Sequence, residues 1–250
     1  MFTSRIASAA RTAAVSACIA TTCVSLVSAC GLASPSLPAA NPPSNGAPDR
    51  HSNAPAPEAA GVYGNPASAA RYWEQQSLED NCGLVSVADV VGEITGHEPT
   101  EQQVAEVAEA TLSQTNPGPI YAPRNDPSHA GSNGGIEMAD EVVLLDHYGI
   151  KSHMTSAAHP EETGLPALEQ YLAKGRKAIA WVNSALIWNT GDQRTTADHF
   201  LVVTGVDTNK ELIHLNDPGA DHADEQVGLT TFISAWKTGE ESLVVTAPTG

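Results

Sequence analysis

Cys82 is the residue with which this chain could do covalent chemistry. There are four cysteines, Cys18, Cys23, Cys30 and Cys82. The first three fall in an N-terminal stretch that reads as an address, so the body of the protein keeps one sulfur. Asp80-Asn81 precede Cys82 and Gly83 follows, a polar, turn-like approach ahead of an apolar helix. A thiol at a helix N-terminus sits in the positive end of the backbone dipole, which favours the thiolate. The alternative is a buried structural thiol. The polar approach and the partners below favour the nucleophile.

A thiolate nucleophile needs a base, an orienter for that base and oxyanion donors. His199 stands in Ala197-Asp198-His199-Phe200-Leu201-Val202-Val203-Thr204-Gly205-Val206, at the mouth of an apolar strand. The next strand ends Leu215-Asn216-Asp217-Pro218-Gly219. If the two strands pair, Asp217 comes to the sheet end that carries His199 and can hold the imidazole through Nδ1. Asp217 can also be a turn-capping Asx residue before Pro218, and His199 tips the choice towards the orienter. Gln76, six residues before Cys82, can donate its side-chain amide to an oxyanion beside the Cys82 backbone N–H, with Gln75 as the spare candidate.

These residues must be held by elements that the pattern also predicts. Cys82 to Thr95 carries Leu84, Val85, Val87, Ala88, Val91 and Ile94 near a 3.6-residue period, with Gly96 as the stop. Thr100-Glu101-Gln102-Gln103 is a capping box for a second helix. Ser113 to Gly135, full of Asn, Pro and Gly, predicts a long loop. Ile136–Tyr148 and Leu165–Ala173 read as two more helices. The pattern then switches to strands, Ala178–Asn183, His199–Asp207 and Glu211–Asn216, with Thr208-Asn209-Lys210 as a turn. A short helix over Thr231–Lys237 and a strand over Leu243–Thr246 close the chain. Helices first and an antiparallel sheet after them is an α+β layout.

Gln76-x5-Cys82-Gly83, then Asp198-His199-Phe200-Leu201-Val202-Val203-Thr204-Gly205-Val206-Asp207, then Asn216-Asp217-Pro218 resembles the papain-like cysteine peptidases of the C39-like group. The resemblance runs from about Trp73 to Val245. It implies a papain-like fold, with an N-terminal helical part packed on a C-terminal antiparallel sheet. It implies Cys82 as nucleophile, His199 as base, Asp217 as orienter and Gln76 in the oxyanion hole, acting on a peptide or protein substrate without a cofactor or metal. One departure is Phe200, which stands where the family pattern has glycine after the histidine. Bacteriocin leader peptidases belong to this group, but with no transporter span or nucleotide-binding segment in view, a leader-export role is not implied.

Rival functions come from other classes. A catalytically silent member of the same fold would be a surface binding module, against which the intact Cys, His, Asp and Gln count. An NlpC-type cell-wall amidase would share a Cys at a helix start and a His on a strand, but the Asp-Cys-Ser approach is missing. His214, Asp217, Asp221, His222 and Asp224 fall within 11 residues and could bind a metal, although without tight ligand spacing a solvated acidic loop is preferred. Trp73, Trp181 and Trp236 read as core, and Trp188 as the tryptophan to look for at a substrate pocket.

Composition narrows the partners. The chain has 250 residues, 12 Lys+Arg against 29 Asp+Glu, and a net charge of -17. Residues 61–250 alone hold 9 basic and 27 acidic residues, net -18, which would repel a phosphate backbone and argues against nucleic acid. Hydrophobic residues at 41% are too many for a wholly disordered chain.

The first 29 residues read as a secretory signal peptide, with Arg5 and Arg11 ahead of the uncharged run Thr12–Ala29. The run ends Val27-Ser28-Ala29-Cys30, which looks like a bacterial lipobox and implies cleavage before Cys30 and a lipid on it. Two acyl chains would hold the protein at a membrane surface. Otherwise the protein is secreted free. Residues 30–62 contain seven prolines among Ala, Ser, Asn and Gly and read as a disordered tether, leaving 63–250 as the folded domain.

Overall fold

The computed structural model describes residues 61–122 and 134–248. The signal segment, Cys30 and nearly all of the expected tether lie outside them, as does the middle of the expected loop 113–135. The first strand, β1 (Val62–Gly64), opens one residue ahead of the expected domain boundary, with Val62 paired to Asp207.

Two short helical pieces follow, α1 (Pro66–Ala69) and a 3-10 turn (Ala70–Tyr72). Then comes α2 (Cys82–Thr95), with the bounds its periodicity predicts. Its residues Cys82 to Gly92 are buried without interruption, so it is a central helix with no solvent face over that span. Each fully buried Val or Leu contributes about 1.5–3 kcal/mol, which fixes the helix that carries the candidate nucleophile. Gly96 ends it in the left-handed conformation at φ 75°. Helix α3 (Glu101–Ala110) starts with the expected capping box, Thr100 and Gln103 each accepting from the other's backbone N–H.

Helix α4 (Met138–His147) starts two residues later than periodicity suggests, because Glu137 is extended and serves as its cap. Strand β2 (Ser152–Thr155), helix α5 (Gly164–Ala173), strand β3 (Ala178–Val182) and a one-turn helix α6 (Ser184–Ile187) come next. Strand β4 (His199–Asp207) has the expected bounds, and all nine of its residues are buried. Strand β5 (Leu212–Asn216) starts one residue later than expected, since Glu211 takes a left-handed turn conformation at φ 55°. Strand β6 (Glu225–Gly228), helix α7 (Leu229–Lys237) and strand β7 (Leu243–Thr246) complete the order.

The seven strands form one antiparallel sheet in the order β2-β7-β3-β4-β5-β6, with β1 pairing the far half of β4. Side chains alternate across β4. Phe200 and Val202 pack with Cys82, Leu84, Val87 and Leu144 from α2 and α4, whereas Leu201 and Val203 pack with Leu168, Leu172, Phe232 and Trp236 from α5 and α7. The layout is the expected papain-like α+β arrangement, with a second helical layer on the other face of the sheet. Strands β1, β2 and β6 and helices α1 and α6 are too short to leave a periodic signal.

Candidate active site

The approach to Cys82 is pinned from the side. The Glu101 carboxylate, at the start of α3, accepts from Ser77 N at 3.1 Å, from Ser77 Oγ at 2.9 Å and from Asn81 Nδ2. Tyr121 Oη donates to Asp80 Oδ1 at 3.0 Å. These contacts hold residues 77–81 as an ordered run into α2, so Cys82 is delivered as the first helical residue, the position expected. Gly83 lies so close to Ile136 that a Cβ there would come within 2.7 Å of Ile136 Cγ1.

His199 begins β4, and β5 pairs with β4 through Val202 and Asn216. That register puts Asp217, the next residue, against His199. The imidazole Nε2 and Asp217 Oδ1 are 2.6 Å apart. The expected contact was Nδ1. The strand pairing presents Nε2 to the carboxylate instead, which leaves Nδ1 free of Asp217, and the Cys82 thiol is near enough for the two groups to shift each other's pKa. Cys82, His199 and Asp217 are therefore brought together, the His199–Asp217 hydrogen bond standing beside the thiol. All three are buried, with Cys82 9% exposed and Asp217 fully enclosed.

Asp217 makes both contacts considered from sequence, one to the His199 ring and one within its own turn. Its Oδ1 also accepts from Gly219 N at 2.7 Å, an Asx turn through Pro218. Trp188 Nε1 donates to Oδ2 at 2.8 Å, and the indole lies 5.0 Å from the His199 ring, centroid to centroid. A Cβ at Gly219 would come within 2.4 Å of that indole, so glycine is what lets Trp188 lie over the Asp217–His199 pair. Trp73, expected as core, is half-buried and donates Nε1 to the Asp217 carbonyl at 2.6 Å. Neither tryptophan's bond to Asp217 could be read from sequence, because each depends on where a distant strand ends, although Trp188 does stand at a cavity wall as expected.

The electrostatics agree with the geometry. Burial pushes the Cys82 thiol up, but the His199 charge, its hydrogen bond and the backbone N–H groups of Phe200 and Gly83 outweigh it and bring the thiol below its ordinary value. Burial pulls His199 down, while Cys82 and Asp217 together raise it to about 10. Burial raises Asp217, and the hydrogen bond and charge of His199 with the Trp188 bond carry it below the ordinary range. These shifts favour a thiolate–imidazolium pair backed by a carboxylate. Phe200, the departure from the family pattern, packs its ring 4.3 Å from Trp181 in the core.

Gln76 is placed beside the Asp217 turn. Its backbone N–H donates to the Pro218 carbonyl at 2.9 Å, tying it to the Asp217 turn. Its side-chain Nε2 donates to the Leu78 carbonyl at 2.6 Å, which uses one of its two amide hydrogens. Gln75 Nε2 donates to the Ala220 carbonyl at 3.0 Å. Gln75, Gln76, Ser77, Leu78, Glu79, Trp188, Pro218 and Gly219 line a cavity of about 440 Å³. Leu78 and Trp188 expose apolar surface there. A larger cavity, about 770 Å³, lies at the far end of α2 around Val91, Glu98 and Tyr148 and is away from this chemistry.

Two more carboxyl groups stand close. Glu141 on α4 is fully buried, and burial with the Cys82 and Asp140 charges holds it well above the ordinary range. Glu225 on β6 is raised to about 7 by burial and by Asp217. In the acidic loop, His214 pairs with Asp224 at 2.7 Å and His222 with Asp221 at 2.6 Å. Among the described residues no group of three or more His, Cys, Asp or Glu side chains converges as a metal site.

A helix-borne thiol packed against a sheet-borne His–Asp pair defines a papain-like thiol site. The model of the Peptidase_C39 like family matches residues 56–242, and the chain belongs to that family. Proteins of Mycobacterium tuberculosis and Mycobacterium bovis, both carried as uncharacterised, are 43% identical over 204 residues, covering 77% of this chain and 88% of theirs. Among solved structures, a C39-like peptidase of Bacillus anthracis is 18% identical, with a TM-score of 0.49 over 71% of this chain and 94% of that one. A double glycine motif protease from an AMS/PCAT transporter, solved in complex with the leader peptide, is 15% identical, with a TM-score of 0.43 over 70% of this chain and 89% of that one.

Proposed function

We propose that the protein is an exported cysteine peptidase that hydrolyses a peptide or related amide. The observation that carries this reading is the buried convergence of Cys82, His199 and Asp217, with the His199 ring held 2.6 Å from the Asp217 carboxylate and close enough to Cys82 for each charge to bear on the other. The substrate carbonyl enters beside Cys82, with flanking residues along the cavity walled by Leu78 and Trp188. The Cys82 thiolate attacks the carbonyl carbon. Its backbone N–H, as the first of the helix, has no intrahelical acceptor, and with the free amide hydrogen of Gln76 it holds the oxyanion. His199 gives its Nδ1 proton to the departing amine, leaving a thioester on Cys82. Water then attacks the thioester carbonyl while His199 takes its proton, and collapse releases the acid and restores the thiolate–imidazolium pair. Asp217 keeps the ring aligned throughout.

The test is alkylation of Cys82 by iodoacetamide in the folded protein as a function of pH. The rate is expected to reach half its maximum well below the model thiol value of about 8.5. Turnover should share that acid limb, because it needs the thiolate. It should fall again near pH 10, where His199 loses the proton that it must give to the amine. A native thiol that does not react overturns the proposal, and the silent binding module then leads.

We also propose that the mature chain begins at Cys30, lipidated, so that the tether displays the domain outside the cell membrane. Wild type should enter the detergent phase on phase partition, and Cys30→Ala should remain in the aqueous phase. Both proteins remaining in the aqueous phase would rule out the anchor and leave free secretion.

A further inference from the structure

We propose that Asp89 is a positioning residue for this site: it shares one buried proton with Glu93 and, through Asn216, clamps the strand that carries Asp217 onto the helix that carries Cys82. The proposal rests on the Cys82–His199–Asp217 reading and extends it to side chains that touch none of the reacting atoms.

Asp89 lies seven residues after Cys82 on α2, two turns along the same face. It is 2% exposed. Its Oδ2 accepts from Asn216 Nδ2 at 2.6 Å, and the other hydrogen of that amide goes to the Ala69 carbonyl at 2.9 Å. Asn216 ends β5 and is joined by its peptide bond to Asp217. One hydrogen bond therefore separates the nucleophile's helix from the residue next to the orienter.

Glu93 stands one turn further along α2, its side chain 4% exposed, with Lys177 Nζ at 2.6 Å from Oε2. That leaves Asp89 Oδ1 and Glu93 Oε1, both buried and neither with a hydrogen-bond donor. Two carboxylates four residues apart on a buried helix face cannot both hold their charge. A proton on Asp89 Oδ1 donates to Glu93 Oε1, satisfies both oxygens, and leaves the Glu93–Lys177 pair in place. Burial and then the Glu93 charge raise Asp89 well above the ordinary carboxylate range, against the Asn216 bond. The other charged group that bears on Asp89 is Glu98, beyond the end of α2, which burial and Glu74 raise to about 7. It also opposes a charge on Asp89.

A neutral Asp89 makes a prediction that an ionised one does not. Asparagine is the isostere of a protonated aspartate, since its oxygen can accept from Asn216 and its amide can donate to Glu93. In the full chain, Asp89→Asn is expected to keep kcat and the acid limb of Cys82 alkylation within about twofold of wild type. Asp89→Ala is expected to lower kcat about 10–100-fold, as loss of an outer orienting partner does, with little change in KM. Its alkylation limb should move to higher pH, because a displaced Asp217 stabilises the imidazolium less. If Asp89→Ala does not fold, Asn216→Ser, too short to reach Asp89, carries the same expectation.

The infrared C=O stretch of a protonated carboxyl group, present in wild type at neutral pH and diminished in Asp89→Asn, reports the shared proton without any turnover. Asp89→Asn losing as much as Asp89→Ala, or an unchanged infrared band, overturns the shared proton. An alkylation profile of Asp89→Ala or Asn216→Ser that matches wild type overturns the clamp. An ordinary thiol profile in wild type would instead count against the peptidase reading, and the infrared band would still decide the proton.

Discussion

Cys82→Ala and His199→Ala are each expected to abolish peptide hydrolysis, by about 10⁴-fold or more, as loss of a nucleophile or its base does in hydrolases that act through such a unit. The two losses should not add, because both residues belong to one thiolate–imidazolium pair. Neither should unfold the domain. Cys82 is one small member of a core that α2 builds from Leu84, Val87, Val90 and Val91, and β4 stays anchored by Phe200 to Val203. The check is labelling by a thiol-reactive peptidyl probe alongside turnover. Cys82→Ala should take no label. His199→Ala should label slowly near neutral pH, because the thiol loses the charge and hydrogen bond that lower its pKa. Labelling of Cys82 at the wild-type rate in His199→Ala would remove the dyad and the mechanism with it. Asp217→Asn should fall between, since it disturbs the ring's alignment and leaves the proton acceptor in place.

Gln76→Ala is expected to lower kcat about 10²–10³-fold with KM little changed, the cost of one oxyanion donor. The loss falls on the amide's second hydrogen, because the first is held by the Leu78 carbonyl. The Leu78 bond fixes the side chain at the cleft and so preorganises the remaining donor. The backbone at this position is secured independently through the Pro218 carbonyl, so the variant should keep its fold and its Cys82 alkylation profile. Gln75→Ala is the control, with its amide committed to Ala220, and should cost only a few-fold. A Gln76→Ala protein with full kcat would assign the oxyanion to backbone groups alone.

How far the sequence alone reaches differs from element to element. Helix α2 and strand β4 were legible to the residue, because each is long, apolar and bounded by turn formers. They are also buried deeply enough that no tertiary contact competes with the pattern. That Cys82, His199 and Asp217 could meet was legible for a chemical reason, since a thiol at a helix start invites a search for a base and an orienter. Which imidazole nitrogen faces Asp217 was not. It follows from the β4–β5 register, with its shift between Val203 and Gly205, and a register is settled by the sheet as a whole. The same holds for Trp73 and Trp188. Their indole N–H groups find Asp217 across 144 and 29 residues, and no local pattern encodes such a meeting. Asp89 and Glu93 look on sequence like two charges on the polar side of an amphipathic helix. Only the packing of α2 against β4, with Asn216 and Lys177 reaching the two carboxyl groups, shows that this helix has no polar side there, and it is burial that makes the pair share a proton.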